Sequence, residues 1–124
     1  MNKELDDQLC QRYPKIFDDC RRTMCNDGWF DLLDVLCERL QFWTDHNRAP
    51  QVVVSQVKEK WGELSFYGQG GNQEQDGMIT MAEGMSARIC EHCGKPGTTL
   101  VSGEIYLTRC QEHAPSRGSV AAEQ

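Results

Sequence analysis

Residues 28–67 read GWFDLLDVLCERLQFWTDHNRAPQVVVSQVKEKWGELSFY, and the pattern changes period in the middle. From Gly28 to about Trp43, the residues Trp29, Leu32, Leu33, Leu36, Leu40 and Trp43 recur at intervals of 3, 1, 3, 4 and 3. That spacing puts them on one face of a helix of about four turns. Asp31, Asp34, Glu38 and Arg39 fall on the other side. Asn26 or Asp27 is expected to cap the helix, and Asp31 suits the positive end of its dipole. After Asn47-Arg48-Ala49-Pro50 the helical period is gone. Gln51 to Lys58 is rich in β-branched residues (Val52, Val53, Val54, Val57), and Glu63 to Gly68 alternates, with Leu64 and Phe66 against Ser65 and Tyr67. With Gly62 between them, the two runs predict an antiparallel hairpin, Gln51–Lys58 with Glu63–Tyr67. A helix packed on a small antiparallel β-hairpin makes the fold class α+β.

Toward the N-terminus, Leu5 and Leu9 lie four apart beside Cys10 and predict a short helix that Pro14 ends. Ile16-Phe17 reads as an apolar anchor, and Asp18 to Asp27 as an irregular turn. Toward the C-terminus, Gly68 to Gly77 holds four glycines and no aliphatic or aromatic residue, the composition of a flexible loop. Met78, Ala82, Met85 and Ile89 mark a second helix. Thr98–Val101 and Glu104–Thr108, around Ser102-Gly103, read as a second small hairpin. The expected organisation is a helix and hairpin core (1–77), a helix with a second hairpin (78–113), and a patternless tail (114–124) that is disordered.

The second hairpin sits inside a ligand pattern. Cys90-Glu91-His92-Cys93-Gly94 is followed, after sixteen residues between Cys93 and Cys110, by Cys110-Gln111-Glu112-His113. Two ligands two residues apart can hold one ion from a single tight turn, and two such turns make the closed tetrahedral set that structural Zn²⁺ takes. Cys90, Cys93, Cys110 and His113 are therefore the expected ligands of one structural zinc per chain, in a zinc-ribbon-like segment. Gly94 suits the positive φ at which such a turn reverses. Rival chemistries fit less well. A redox C-x-x-C wants a helix after its first cysteine, and Gly94-Lys95-Pro96-Gly97 opens helices poorly. Catalytic zinc needs an open position, and a zinc deaminase needs H-x-E and P-C-x-x-C, which are absent. His92 lies inside the turn and is expected to point elsewhere. Residues 90–113 hold few large apolar groups, so a metal staple also answers how they stay folded.

Composition narrows the rest. The chain has 124 residues, 26% of them charged, a net charge of −6 and a mean hydropathy of −0.62. No stretch approaches the roughly 18 apolar residues of a membrane span. The N-terminus lacks the apolar run of a secretory signal, which points to the cytoplasm, where thiols stay reduced. The seven cysteines are then metal ligands or core residues rather than a disulfide framework. Cys10, Cys20, Cys25 and Cys37 could make a second metal site, although Cys37 falls on the apolar side of the long helix. The net charge is negative in each third of the chain, with no basic cluster beyond Arg21-Arg22, so nucleic acid is a poor primary ligand.

Two further sets of residues are candidate binding surfaces. Asp31, Asp34 and Glu38, three and four apart, form a negative ridge suited to a basic partner, or simply a solvated helix face. Lys58, Lys60 and Trp61, with Tyr67, could form a basic-aromatic surface for single-stranded nucleic acid. The plainer alternative is that Trp61, Leu64 and Phe66 are core. Asp45-His46-Asn47 faintly matches the centre of an HNH-like nuclease, but its later catalytic element is missing and a histidine at a helix C-terminus is the commoner explanation.

Four strings together resemble a group of small proteins of tailed bacteriophages and prophages. They are Asp27-Gly28-Trp29-Phe30 with Leu32-Leu33; Gln56-Val57-Lys58-Glu59-Lys60-Trp61-Gly62; Ala82-Glu83 with Ser86; and Ile89-Cys90-Glu91-His92-Cys93-Gly94 through Thr108-Arg109-Cys110. The resemblance covers roughly residues 13–113 and implies a phage accessory protein acting in the host cell cytoplasm, with no assigned activity. Some members of that group carry further cysteines near the position of Cys20 and Cys25. The expected function is a zinc-stabilised, non-catalytic protein that binds a host or phage protein, with inhibition of a host defence complex, in the manner of an anti-CRISPR, as the analogy. A nucleic-acid-binding regulator using the zinc knuckles is the alternative, and an HNH-like nuclease comes third.

Overall fold

The apolar face between residues 28 and 43 is the wall against which the chain packs. In the computed structural model, which describes residues 1–18, 23–115 and 119–121, Asp27–Trp29 is a turn of 3-10 helix running into α2, Phe30–Asn47. Trp29, Leu33, Leu36, Cys37 and Leu40 are buried. The helix runs a turn past Trp43 and stops at Arg48, whose φ of 57° and N–H bond to the Trp43 carbonyl close its end. Neither expected cap forms. Asn26 makes no side-chain cap bond, and the Asp27 carboxylate accepts instead from the backbone N–H and side-chain amide of Asn2, at 2.8 and 3.1 Å. Asp27 thereby anchors the start of α1, Lys3–Arg12, whose own cap is the Asn2 side chain.

Strands β1 (Val53–Lys60) and β2 (Glu63–Gln69) form the expected antiparallel hairpin, with Val57 opposite Phe66 and Lys60 opposite Glu63. Its turn is only two residues long. Trp61 and Gly62 both have positive φ, 57° and 82°, the geometry that matches strand twist. Glycine adopts it freely, whereas a left-handed non-glycine costs roughly 1–2 kcal/mol. Val52, Val54, Val57, Leu64 and Phe66 join Ile16 and Phe17 in the core with α2. Leu64 and Phe66 are therefore core as expected, while Trp61 is 66% exposed.

Helix α3, Gln73–Ser86, begins within the stretch expected to be loop. Asn72 and Gln75 cap it reciprocally, each side-chain oxygen accepting the other's backbone N–H at 3.0 Å. The Gln75 side chain is fully buried and donates to the Leu40 and Pro50 carbonyls and the Thr44 hydroxyl. A buried amide is invisible to hydrophobic periodicity, which is why the helix looked shorter. Further along α3, Ser86 Oγ accepts the Leu64 N–H (2.8 Å) and Glu83 the Phe66 N–H (3.0 Å), so side chains occupy these groups on the outer edge of β2.

The second hairpin is β3 (Thr98–Ser102) with β4 (Ile105–Arg109). A third strand, β5 (Ser119–Ala121), pairs antiparallel with the other edge of β3, giving the order β4-β3-β5. The expectation of a disordered tail over 114–124 therefore fails at these residues: an unpaired strand edge is a template for any nearby chain. Among the described residues, no helix is long and apolar enough to cross a membrane.

Candidate metal centre

The four ligands expected from spacing are brought together. After α3 the chain turns through Cys90–Gly94, closed by bonds from the Gly94 N–H to the Cys90 carbonyl (2.9 Å) and from the Cys90 N–H to the Lys95 carbonyl (2.7 Å). Gly94 has the positive φ, 83°, that this reversal needs. At the far end of β4, Cys110 leads into one 3-10 turn, Gln111–His113, which brings the imidazole back beside the thiol. The Sγ atoms of Cys90, Cys93 and Cys110 and a ring nitrogen of His113 all lie within 4.8 Å of one another. Cys93 Sγ is 3.7 Å from Cys110 Sγ, and His113 Nδ1 is 3.2 Å from Cys110 Sγ and 3.8 Å from Cys90 Sγ. His92 stays outside the set, exposed, with its ring 4.1 Å from that of His113.

The electrostatics fit a bound cation. Burial alone would raise the Cys90 thiol, but backbone N–H groups of Cys110, Cys93 and His92, with the Cys93 side chain, bring it down to about 6. At Cys93 the Lys95 N–H favours the thiolate, yet burial and the adjoining Cys110 and Cys90 thiols together push it up. Donors aimed at one sulfur and sulfurs crowding another are a conflict that a metal ion removes.

The centre is built into the core rather than hung from it. The Gly28 N–H donates to the Glu91 carbonyl (2.7 Å) and the Trp29 indole N–H to the Ile89 carbonyl (2.9 Å). A Cβ on Gly28 would lie 2.1 Å from the Cys90 carbonyl oxygen, so only glycine lets the start of α2 touch the first knuckle. At the other side the Thr108 hydroxyl donates to the Gly62 carbonyl, joining the tip of the β1–β2 turn to β4.

Sequence reasoning missed Glu91. Although it lies between two ligands, its side chain is buried, accepting the Asn26 N–H (3.0 Å) and pairing with Arg109 (3.2 Å). The available signal was Arg109 itself, a cation directly before the third ligand. Glu91 and Arg109 tie the two knuckles to each other and to the residue preceding the 3-10 turn that leads into α2.

The remaining candidates are placed as follows. Cys25 and Cys37 are buried thiols, and burial pushes Cys25 up to about 12 and Cys37 higher still, which suits core residues. Cys10 is half-buried on α1, and Cys20 lies outside the described residues. Among the described residues the only cluster of metal-binding side chains is the one at Cys90. The His46 ring packs against Phe42 at a tilt of 38°, with ring centroids 4.4 Å apart, and belongs to no such cluster. The ridge is not continuous: Asp31 is exposed, Asp34 pairs with Arg12 (3.1 Å) and accepts from the Tyr13 hydroxyl (2.6 Å), and Glu38 pairs with Arg39. Lys58 is half-buried and Lys60 exposed, and Trp61 meets the Tyr106 ring edge-on at 5.8 Å.

Comparison of the chain with protein-family models, curated proteins and solved structures returned no match.

Proposed function

We propose that the chain is a zinc-stabilised, non-catalytic protein whose work is to bind another protein. Zinc is favoured over other ions by the donor set and its spacing. Zn–S bonds of about 2.3 Å in a tetrahedron imply sulfur separations of about 3.8 Å. The Cys93–Cys110 separation of 3.7 Å is close to that value. With three thiolates and an imidazole the coordination is complete, so the ion holds structure and has no open position for substrate.

The observation that carries the binding role is the grouping of exposed apolar side chains outside the core. Val35, Met81 and Met85 lie exposed along one groove, and Trp61, Tyr67 and Tyr106 are exposed on and near the two hairpins. Large apolar side chains gathered in this way mark interaction surfaces in soluble proteins. The resemblance to phage accessory proteins makes a host or phage protein the natural partner, and inhibition of a host defence complex the process in which it acts. The test is capture from a bacterial lysate by the zinc-loaded chain, with and without nuclease treatment. A protein retained in both conditions is expected; loss of all capture after nuclease would overturn the proposal.

One observation favours a second role, as a nucleic-acid-binding regulator. The Trp61–Tyr106 pair beside exposed Lys60 offers a stacking platform next to a cation. Titration of tryptophan fluorescence with oligonucleotides, in the wild type and in Trp61→Phe, separates the two, because a sub-micromolar complex at physiological salt that depends on Trp61 would put nucleic acid first.

A further inference from the structure

The three sulfurs of the metal centre differ in their access to solvent. Cys90 is fully buried and Cys110 only 9% exposed, whereas Cys93 is exposed. Cys93 stands in an exposed run, His92 to Pro96, where the first knuckle reverses through the positive φ of Gly94. A reagent arriving from solvent therefore meets one sulfur of the three. Elsewhere, Cys25 and Cys37 are buried in the core and Cys10 is half-buried on α1.

Access at Cys93 matters because of its neighbour. Cys110 Sγ lies 3.7 Å away, and bringing the two sulfurs to a disulfide bond of about 2.05 Å needs an approach of only about 1.7 Å. Cys90 is the other sulfur of the cluster, but it is held in place: backbone N–H groups of Cys110, Cys93 and His92 all donate to it. Cys110 is the better placed to answer a change at Cys93. An accessible thiolate beside a second thiol is the arrangement of a peroxide-sensing pair. Metal coordination keeps both sulfurs as thiolates, the nucleophilic form. Hydrogen peroxide is small and neutral, so the net charge of −6 does not repel it.

Resting on the zinc-stabilised reading argued above, we propose that Cys93 is an oxidation site for hydrogen peroxide, and that it closes a disulfide with Cys110 that releases the metal. The Cys93 thiolate attacks one peroxide oxygen; an S–O bond forms, the O–O bond breaks and hydroxide leaves. The Cys110 thiolate then attacks Cys93 Sγ; the S–S bond forms, the S–O bond breaks and a second hydroxide leaves. Two electrons pass from the sulfur pair to the peroxide. Cys90 and His113 remain, two ligands of four, too few to hold a tetrahedral ion. The new bond joins the same two knuckles that the metal joined, alongside the Glu91–Arg109 ion pair (3.2 Å), so the ribbon exchanges one staple for another. What the exchange frees is His113, on the 3-10 turn Gln111–His113. A thiol reductant and added zinc reverse it.

The test treats the full zinc-loaded chain with hydrogen peroxide, following metal release with a chromogenic chelator and disulfides by peptide mass spectrometry. One zinc ion should be released for each Cys93–Cys110 disulfide formed, and dithiothreitol with added zinc should restore the metal. With dimedone present to trap the S–OH species, the adduct on Cys93 should exceed that on Cys90 or Cys110 at least about tenfold, because accessibility selects the sulfur that oxidises. The variant Cys10→Ser/Cys20→Ser, which removes two sulfurs outside the centre, should release zinc at the wild-type rate. A disulfide to Cys90, an adduct first on Cys90 or Cys110, Cys93 oxidised to sulfinic acid with no disulfide, or release that is lost in the double variant would overturn the proposal. A chain that holds zinc and keeps it under peroxide sinks the proposal and leaves the zinc-stabilised reading standing. A chain that holds no zinc before peroxide is added sinks both.

Discussion

The core between α2 and the β1–β2 hairpin and the ribbon over residues 90–113 solve one problem by opposite means. In the core, Trp29, Leu33, Leu40, Val57, Leu64 and Phe66 are excluded from water together. Each contact is weak and non-directional, and the stability is spread over many side chains. In the ribbon, Ile105 and Tyr106 are exposed and Leu100, Val101 and Leu107 only half-buried. What is gathered there instead is four Cys/His side chains, within 4.8 Å of one another and able to hold a metal ion, and a few hydrogen bonds. The two regions meet at Gly28, Trp29 and Glu91, where the backbone of the first knuckle is also a wall of the core.

The largest effect should come from breaking the concentrated region. Cys110→Ser should abolish metal binding, and with it a contribution that reaches about 10–16 kcal/mol in isolated zinc-finger peptides. Native mass spectrometry should show the metal lost. Hydrogen exchange should rise across residues 90–113 and at the Trp29 indole N–H, which donates to Ile89. Full metal occupancy in this variant would mean the ligands are misassigned.

Next comes the core. Leu40 is fully buried, and Leu40→Ala should cost about 2–5 kcal/mol in denaturant unfolding through lost burial and the cavity left behind. Metal content should stay at one equivalent in the folded protein. Loss of metal from the folded variant would show that the two regions are one cooperative unit rather than two joined ones.

Gly28→Ala tests the joint itself. The new methyl would overlap the Cys90 carbonyl, and because both sides are backbone, relief requires the knuckle to shift. A loss of about 1–3 kcal/mol is expected, as for other overpacked sites. Weaker metal retention against a chelator should accompany it, and unchanged retention would show that the knuckle forms independently of α2. The smallest effect belongs to Cys37→Ala, which removes one buried sulfur from the core and should leave metal binding untouched. A second equivalent of metal that disappears with Cys37 would overturn the one-centre assignment.

Much of the layout was legible because it rests on local spacing. The 3.6-residue period of α2 survives in Trp29, Leu33, Leu36 and Leu40, and the switch to β-branched and alternating residues marks β1 and β2 within two residues at each end. The ligands were legible for a different reason: a C-x-x-C and a C-x-x-H each serve one ion from one turn, so their geometry is encoded in spacing alone. The opening of α3 was not, because Gln75 is buried by hydrogen bonds to Leu40, Thr44 and Pro50, partners distant in sequence. Nor was β5, whose pairing depends on a free edge on β3.

The sequence by itself thus determined the α+β class, the long helix, the first hairpin and the four Cys/His side chains that cluster, all consequences of periodicity or of spacing within a turn. Tertiary structure alone decided that Glu91 is a buried tie rather than a solvated charge, that Trp61 faces outward, that Asp34 is already neutralised, and that α2 and α3 enclose an apolar groove between acidic helices. The physical reason is common to all four. Each depends on which side chain from elsewhere in the chain comes within a few ångströms, and the short-range patterns that select a helix or a strand carry no record of that.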